Sequence, residues 1–276
     1  REECLAELPD DDGVEIISLE GPESVPEVDA LAKKFPRVRF LLLHAPCTPG
    51  EKINLAIEEA QSPLVLVISS DIRLPQGSFS PRVLEKIARQ DILCTLPVFK
   101  NKRMETLPSV MVPGYIGAKM KIVPWHPLHD GMQSVFPFDF AGIYNKEKYR
   151  FSGGYDGKIR SSYWQKADFG FRSLLWGERF AVNAALFFQY RGEVPLEDNT
   201  PDEGYKLFYL KNMAVDFKRD RGVLSYRKFP LYFMRSGSRF LRALGEFRAA
   251  RHWVRRNRYR FKLDARTLVE SWEVPE

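Results

Sequence analysis

The chain has 276 residues, of which 44% are hydrophobic and 13% aromatic, so it can bury a large core and does not have the composition of a disordered protein. No apolar run approaches the roughly 18 to 20 residues that a membrane-spanning helix needs. The formal net charge is +6, and residues 201–276 carry 18 Lys or Arg against 9 Asp or Glu, so the positive charge is concentrated in the C-terminal part.

Three cysteines and four histidines are scattered along the sequence without the spacing of a zinc site. An odd number of cysteines favours free thiols in a reducing compartment over a disulfide framework. We therefore predict a cytoplasmic protein without a structural zinc ion.

Short apolar runs rich in β-branched residues predict buried strands. They lie at residues 14–19, 38–43, 64–68 and 92–98. Between the second and third runs, the spacing of Ile53, Ile57 and Ala60 predicts a helix, and Ser80 followed by Pro81 predicts the start of another. Strands that alternate with helices predict an α/β protein with a mostly parallel sheet flanked by helices.

The second half of the chain begins with a less regular pattern. Residues 100–138 are rich in Pro, Gly and Met, which predicts long loops over one end of the sheet. From Trp164 the apolar spacing becomes helical until Gly177, and Asp168 lies beside the apolar face of that helix. The polar composition of residues 191–204 predicts a loop, and the rest of the chain is predicted to be mostly helical and basic.

The segment LVLVISSDIRLP places Ser69 and Asp71 directly after a buried strand. Ligands of α/β proteins bind at the carboxyl ends of strands, where a carboxylate can hold a divalent cation against a diphosphate. The alternative is that Asp71 only caps a turn.

Two later segments, FDFAGIYNKEKYRFSGGYD and YWQKADFGFRSLLWGERF, contain a series of glycines, aromatic residues and charges in a recognisable order. The series is Gly142, Lys148, Tyr149, Gly153, Gly154, Tyr155, Asp156, Asp168, Arg172 and Gly177. With Gly50, Asn54, Ala56 and Asp71 upstream, the sequence from Val14 to Lys218 resembles the family 2 glycosyltransferases, which have a GT-A fold.

The resemblance implies an inverting enzyme that transfers a sugar from a nucleotide-diphosphate donor to a hydroxyl group. The implied acceptor is a lipid-linked or surface glycan, as in bacterial polysaccharide biosynthesis. Asp168 would be the catalytic base, and Asp71 would bind an Mg²⁺ or Mn²⁺ ion at the diphosphate. The alternative for Asp168 is an ion pair with Arg172, four residues later on the helix.

The resemblance also implies further contacts with both substrates. The implied donor-binding residues are Asp71, Ser69, Asn54, Gly153 and Gly154, and the implied acceptor-binding residues are Asp139, Asp156, Trp164 and Arg172. For the two glycines, and for Asp139 and Asp156, a plain role in a turn is the alternative.

A second hypothesis follows from three departures from the family pattern. Ser69 stands where the family has the first Asp of Asp-x-Asp, Ala167 stands where it has Glu, and its first strand has no counterpart before Arg1. A GT-A-like binding or scaffolding protein without catalytic activity would have lost such residues. We predict a GT-A domain over residues 1–200, with its first strand missing, and a basic helical extension over residues 201–276.

In that extension, Phe240, Leu244, Phe247 and Trp253 fall on one helical face and arginines occupy the rest. This pattern predicts an amphipathic helix on the anionic inner face of a membrane. The alternative is a helix packed on the catalytic domain, with an exposed arginine face. No nucleic-acid-binding module is recognisable, so nucleic acid is not an expected partner.

Overall fold

The computed structural model describes residues 1–8, 13–75, 79–116 and 119–273. The helices are α1 (Glu2–Glu7), α2 (Val25–Lys34), α3 (Pro49–Glu59), α4 (Pro81–Arg89), α5 (Lys146–Ser152), α6 (Ser162–Leu175), α7 (Glu203–Phe208), α8 (Phe229–Ser236), α9 (Phe240–Asn257) and α10 (Ala265–Glu270). The strands are β1 (Ile16–Glu20), β2 (Val38–Leu42), β3 (Leu64–Val67), β4 (Ile72–Arg73), β5 (Cys94–Lys100), β6 (Val110–Ile116), β7 (Lys119–Trp125), β8 (Gly142–Asn145), β9 (Phe180–Tyr190), β10 (Asp216–Phe217) and β11 (Gly222–Val223).

The central sheet has five strands in the order β3-β8-β5-β9-β4. Strands β3, β5 and β9 run in one direction, while β8 and β4 run against them. Strands β1 and β2 pair in parallel as a separate sheet. Helix and strand alternate around these sheets, so the predicted α/β class is confirmed.

The strands predicted from apolar runs correspond to β1, β2, β3 and β5, and the two predicted helices correspond to α3 and α4. Helix α3 begins where Thr48 and Glu51 form a reciprocal cap of side chain and backbone. The prediction of loops over residues 100–138 is wrong in part, because β6 and β7 form an antiparallel hairpin there.

Helix α6 lies at the centre of the core, where every residue from position 163 to position 175 is buried. Its close packing depends on Gly170, since a Cβ atom there would lie 2.2 Å from the carbonyl oxygen of Val135. The polar side chains of α6 must therefore find partners inside the protein.

The basic C-terminal helices pack on this core. The predicted membrane-facing residue Phe247 is fully buried, and the ring of Trp253 stacks on that of Trp176 at 5.9 Å. Phe247 and Trp253 of the predicted membrane face therefore pack on the core, as in the alternative prediction of a helix packed on the catalytic domain, whereas Phe240 is 52% exposed. In the described part of the chain, no helix is long and apolar enough to span a bilayer.

Candidate active site

Residues 68–71 cross the end of the five-stranded sheet, from β3 at one edge to β4 at the other. Ile72 then pairs with Tyr190 at the end of β9, and the backbone N–H of Arg191 donates to the carbonyl of Asp71 at 2.8 Å. The crossing places Ser69 and the exposed Asp71 at the carboxyl ends of β3 and β9. This is the edge at which α/β sheets bind ligands.

A strained turn at Phe138–Phe140 precedes β8 at the same end of the sheet. Asp139 has φ 48° and ψ 32°, and Phe140 has φ 60°. Each left-handed non-glycine residue costs about 1–3 kcal/mol and persists only where its surroundings fix it. Here both phenylalanine rings are buried, and the Tyr144 hydroxyl donates to the Phe140 carbonyl at 2.7 Å. The turn holds the carboxylate of Asp139 at the end of the sheet.

The carboxylate of Asp139 meets the crossing segment and the end of β9. The Tyr190 hydroxyl donates to Asp139 Oδ2 at 3.0 Å, and the Ser69 hydroxyl donates to the same oxygen at 3.5 Å. Among the described residues, none donates to Oδ1. Burial raises the pKa of Asp139 above its ordinary value. Burial raises the pKa of the Tyr190 hydroxyl. The negative charges of Glu197 and Asp71 raise it further.

An ion pair borders this carboxylate. Lys166 on α6 is buried and contacts Glu197, which lies on the irregular segment after β9. The Lys166 ammonium lies 5.1 Å from the centre of the Phe140 ring. Lys166 lowers the pKa of Asp139, and Glu197 raises it. We call Ser69, Asp71, Asp139, Lys166, Tyr190 and Glu197 the Asp139 site.

Three members of the site were missed by the sequence analysis: Lys166, Tyr190 and Glu197. Lys166 and Asp168 are two residues apart on α6, which places them about 200° apart around the helix axis. The helical pattern therefore separates them, but it does not show which of the two faces a ligand. No pattern in the sequence places Glu197 next to Lys166, because Glu197 lies on an irregular segment 31 residues after Lys166.

A cleft of about 630 Å³ opens beside β4. Arg73 and Gln189 line it, and its size lies within the roughly 300–1,000 Å³ typical of small-molecule sites. Asp71 lies in the turn before β4, two residues from Arg73, and Arg73 forms an ion pair at 3.4 Å with Glu7, which also lines the cleft. Successive residues of a strand face opposite sides, so Gln189 faces the cleft while Tyr190 faces Asp139, and the members of the Asp139 site do not line the cleft.

Asp168 does not belong to this site. Its side chain has no exposed surface, its Oδ2 accepts from Lys211 at 2.9 Å, and its Oδ1 accepts from the Asn212 amide at 2.9 Å. The Arg172 guanidinium lies 3.4 Å from Oδ2. Both oxygens accept hydrogen bonds, and two buried cations lie against the negative charge of Asp168. The structure contains the alternative pair with Arg172, and the role of Asp168 as base stays a prediction from the resemblance.

The predicted donor-binding turn is also held from inside the protein. Asn54 accepts from the backbone N–H of Tyr155 at 2.9 Å and donates to its carbonyl at 2.8 Å. Gly153 has φ +83° and ends α5, while a Cβ atom on Gly154 would lie 2.4 Å from Asn54 Oδ1. Arg172 donates to the Gly154 carbonyl. Asn54, the two glycines and Arg172 therefore build a turn, and their contacts with the substrates stay predictions.

Asp156 and Trp164, which are predicted to contact the acceptor, both contact protein groups in this structure. Asp156 Oδ2 accepts from Lys211 at 3.0 Å. The Trp164 indole N–H donates to the Thr200 carbonyl at 2.8 Å, and its ring packs on Phe208. We call Asp156, Asp168, Arg172 and Lys211 the buried ionic network.

The fit of a divalent metal depends on Asp71. Within residues 1–8, 13–75, 79–116 and 119–273, no three His, Cys, Asp or Glu side chains lie close enough together to bind a metal ion. Mg²⁺ sites in nucleotide enzymes commonly use one or two carboxylates, with phosphate oxygens and waters as the other ligands. The exposed Asp71 carboxylate fits a metal ion that is bound together with a diphosphate.

Comparison with known proteins gives matches in structure alone. No protein-family model matches the sequence, and no curated protein matches it. The crystal structure of GalNAc-T7 with UDP, GalNAc and Mn²⁺ matches with a TM-score of 0.57 and 11% identity, over 89% of this chain and 49% of that chain. The crystal structure of S. aureus TarS matches with a TM-score of 0.51 and 13% identity, over 100% of this chain and 52% of that chain. The crystal structure of S. aureus TarS 1–349 in complex with UDP-GlcNAc matches with a TM-score of 0.51 and 12% identity, over 91% of this chain and 67% of that chain.

The fold is of the GT-A type. The predicted fold is therefore confirmed, and the likeness at 11–13% identity concerns the fold alone. This chain spans about half the length of the first two structures, 49% and 52%. Within the GT-A fold of this protein, the Asp139 site occupies the ligand-binding end of the sheet.

Proposed function

We propose that the chain is a glycosyltransferase that moves a sugar from a nucleotide-diphosphate donor to a hydroxyl group of a glycan or lipid-linked acceptor. The GT-A fold supports the proposal. The observation that carries it is the contact of Ser69 and Tyr190 with the Asp139 carboxylate at the carboxyl ends of β3 and β9, with Asp71 two residues after Ser69. Asp71 and Asp139 come from distant parts of the chain, and a cleft of ligand size opens at β4, the strand that follows Asp71.

Asp139 takes the role of base that the sequence resemblance gave to Asp168. Its Oδ1 receives no hydrogen bond from the described residues, and its raised pKa makes it a stronger base than an exposed aspartate. In the proposed inverting step, the acceptor oxygen forms a bond to the anomeric carbon as the bond to the leaving diphosphate breaks. The hydroxyl proton passes to Asp139 Oδ1.

Asp71 and Arg73 serve the donor in this proposal. Arg73 lines the cleft, where it pairs with Glu7 at 3.4 Å, and its guanidinium nitrogens are the proposed donors to a phosphate oxygen. A bound Mg²⁺ or Mn²⁺ ion supplies positive charge that stabilises the leaving diphosphate. Asp71 would hold that ion together with the phosphate oxygens.

The test is turnover and binding with a panel of nucleotide sugars. We expect one donor to be consumed with acceptor, and the matching nucleoside diphosphate to raise the thermal unfolding midpoint more with Mn²⁺ than without it. Asp139→Asn should lower kcat about 10²–10⁴-fold, because an amide cannot accept the proton. The nucleoside diphosphate should still stabilise that variant. Wild-type kcat in Asp139→Asn would exclude Asp139 as the base.

A second candidate is a GT-A-like protein that binds a nucleotide sugar or serves as a scaffold without catalysis. The observation that favours it is Lys166, a buried cation paired with Glu197 next to Asp139, together with the single acidic residue at the end of β3. Stabilisation by a nucleoside diphosphate without turnover of any donor in the panel would support this candidate over the enzyme.

A further inference from the structure

The corner between α8 and α9 exposes a group of large apolar side chains. Helix α8 ends at Gly237, which has φ +61°, and α9 begins at Phe240. The exposed fractions are 40% for Leu231, 73% for Met234, 52% for Phe240 and 81% for Leu241. We call these four residues the apolar corner.

The apolar corner is held in place by the fold. Phe240 packs its ring edge against Phe229 at 5.8 Å and against Phe233 at 5.5 Å. Leu231 and Met234 are three residues apart on α8 and therefore share a face of the helix. The opposite face of α8 is anchored in the core by Tyr232. The exposed side chains thus project from a fixed helical corner.

Cations surround the apolar corner. Arg227, Arg235 and Arg239 are exposed and form no ion pair with the described residues. By contrast, the neighbouring Arg242 is paired with Glu203 and Glu246. Residues 226–260 contain eleven Lys or Arg and one acidic residue. The corner therefore combines aliphatic side chains with guanidinium groups that lack an internal counter-ion.

We infer that the apolar corner and its three arginines form a docking surface for an anionic lipid bilayer. Exposed Leu, Met and Phe side chains gain free energy when they enter the acyl boundary, and Lys or Arg near an anionic surface contributes about 1 kcal/mol each. Nucleic acid is negatively charged like an anionic bilayer, but it has no apolar interior into which Leu241 and Met234 could insert. This surface differs from the α9 face predicted from the sequence, and Phe240 is the residue that they share.

The inference does not depend on the transfer activity, because lipid binding is measured without a donor. The experiment is flotation of the full chain with phosphatidylcholine vesicles that contain phosphatidylglycerol, compared with pure phosphatidylcholine. We expect binding to the anionic vesicles alone. Met234→Ser/Leu241→Ser should weaken it at least about tenfold, since two apolar insertions are lost. Arg235→Gln/Arg239→Gln should weaken it to a similar degree.

The matched control is Leu128→Ser/Leu196→Ser, which removes two leucines that are 56% and 98% exposed and lie outside α8 and α9. This control should bind anionic vesicles as the wild type does. All substituted side chains are exposed, so the unfolding midpoints should agree with that of the wild type. Equal flotation with both lipids, or equal flotation of the serine pair and its control, would overturn the inference. Binding of single-stranded RNA without vesicle binding would also overturn it, in favour of a nucleic-acid partner.

Discussion

At the scale of single residues, two aspartates that look similar in sequence have opposite environments. Asp139 has one oxygen without a described donor, whereas Asp168 is enclosed by Lys211, Asn212 and Arg172. The difference is the availability of an oxygen to a substrate, which depends on neighbours that are distant in the sequence. The buried ionic network therefore gives Asp168 a role in stability.

Asp168→Asn is expected to destabilise the fold by about 3–5 kcal/mol, because Lys211 and Arg172 would stay buried without a full counter-charge. Denaturant unfolding with a constant m-value measures the change in free energy of unfolding. Asp139→Asn is the matched control, since it removes a carboxylate whose charge is disfavoured by burial. An Asp168→Asn variant as stable as the wild type would contradict the structural role.

The pH dependence of the reaction follows from Asp139. Burial raises its pKa, so kcat should fall as pH is lowered through that raised value, at a higher pH than for an exposed aspartate. Lys166→Met removes a cation that lowers the pKa, and should move the acid limb to higher pH. Glu197→Gln removes an anion that raises it, and should move the limb to lower pH. Shifts in the same direction would contradict the assignment of the limb to Asp139.

The same group affects stability with a defined sign. Because the pKa of Asp139 is higher in the folded protein than in the unfolded chain, the folded state binds the proton more tightly. The contribution to stability is present below the unfolded pKa and is lost as pH rises through the folded pKa. Asp139→Asn should flatten this part of the stability curve.

At the scale of elements, local patterns predicted α3, α4 and the apolar strands, because periodicity and caps lie within one stretch of chain. Strand β9 was missed because FAVNAALFFQY is apolar without a clear period, and its partner β5 lies far away in the sequence. The hairpin of β6 and β7 was missed for a related reason. Its Pro and Gly residues are typical of loops, and cross-strand pairing overrides that preference.

The turn after α5 allows a matched pair of substitutions. Gly153 and Gly154 both have positive φ, but a Cβ atom would have room at Gly153, with its nearest contact at 3.5 Å, and would lie 2.4 Å from Asn54 Oδ1 at Gly154. Gly153→Ala should cost about 1–2 kcal/mol for the left-handed backbone, and Gly154→Ala should cost more because Asn54 must move. Chemical denaturation measures both. Equal costs would contradict the predicted clash.

At the scale of the whole molecule, the basic helices and the GT-A sheet share one hydrophobic core. Phe247 on α9 is fully buried and contacts Phe229 and Tyr232, and α9 itself contacts the π-helix Tyr209–Met213, which carries Lys211. The C-terminal helices therefore help to fix the residues that neutralise Asp168. We expect the described elements to unfold together.

Phe247→Ala tests this expectation. Removal of a fully buried ring should lower the free energy of unfolding by about 3–5 kcal/mol within a single cooperative transition. Leu128→Ala, at an exposed position, should change it by less than about 0.5 kcal/mol. A separate low-temperature transition in Phe247→Ala would indicate that the C-terminal helices unfold on their own.

The sequence by itself determined the α/β class and the GT-A resemblance, because apolar periodicity and the order of motifs are properties of neighbouring residues. It also marked Ser69, Asp71 and Asp139 as candidates. The tertiary structure alone decided which of them meet: the crossing at residues 68–71 and the left-handed turn at Asp139 bring Ser69 and Asp139 together beside Tyr190. The tertiary structure also decided the surroundings of Asp168. The lysine that neutralises it, Lys211, lies 43 residues later in the sequence and is brought to Asp168 by packing. Side-chain availability depends on such distant neighbours, and local sequence patterns do not contain them.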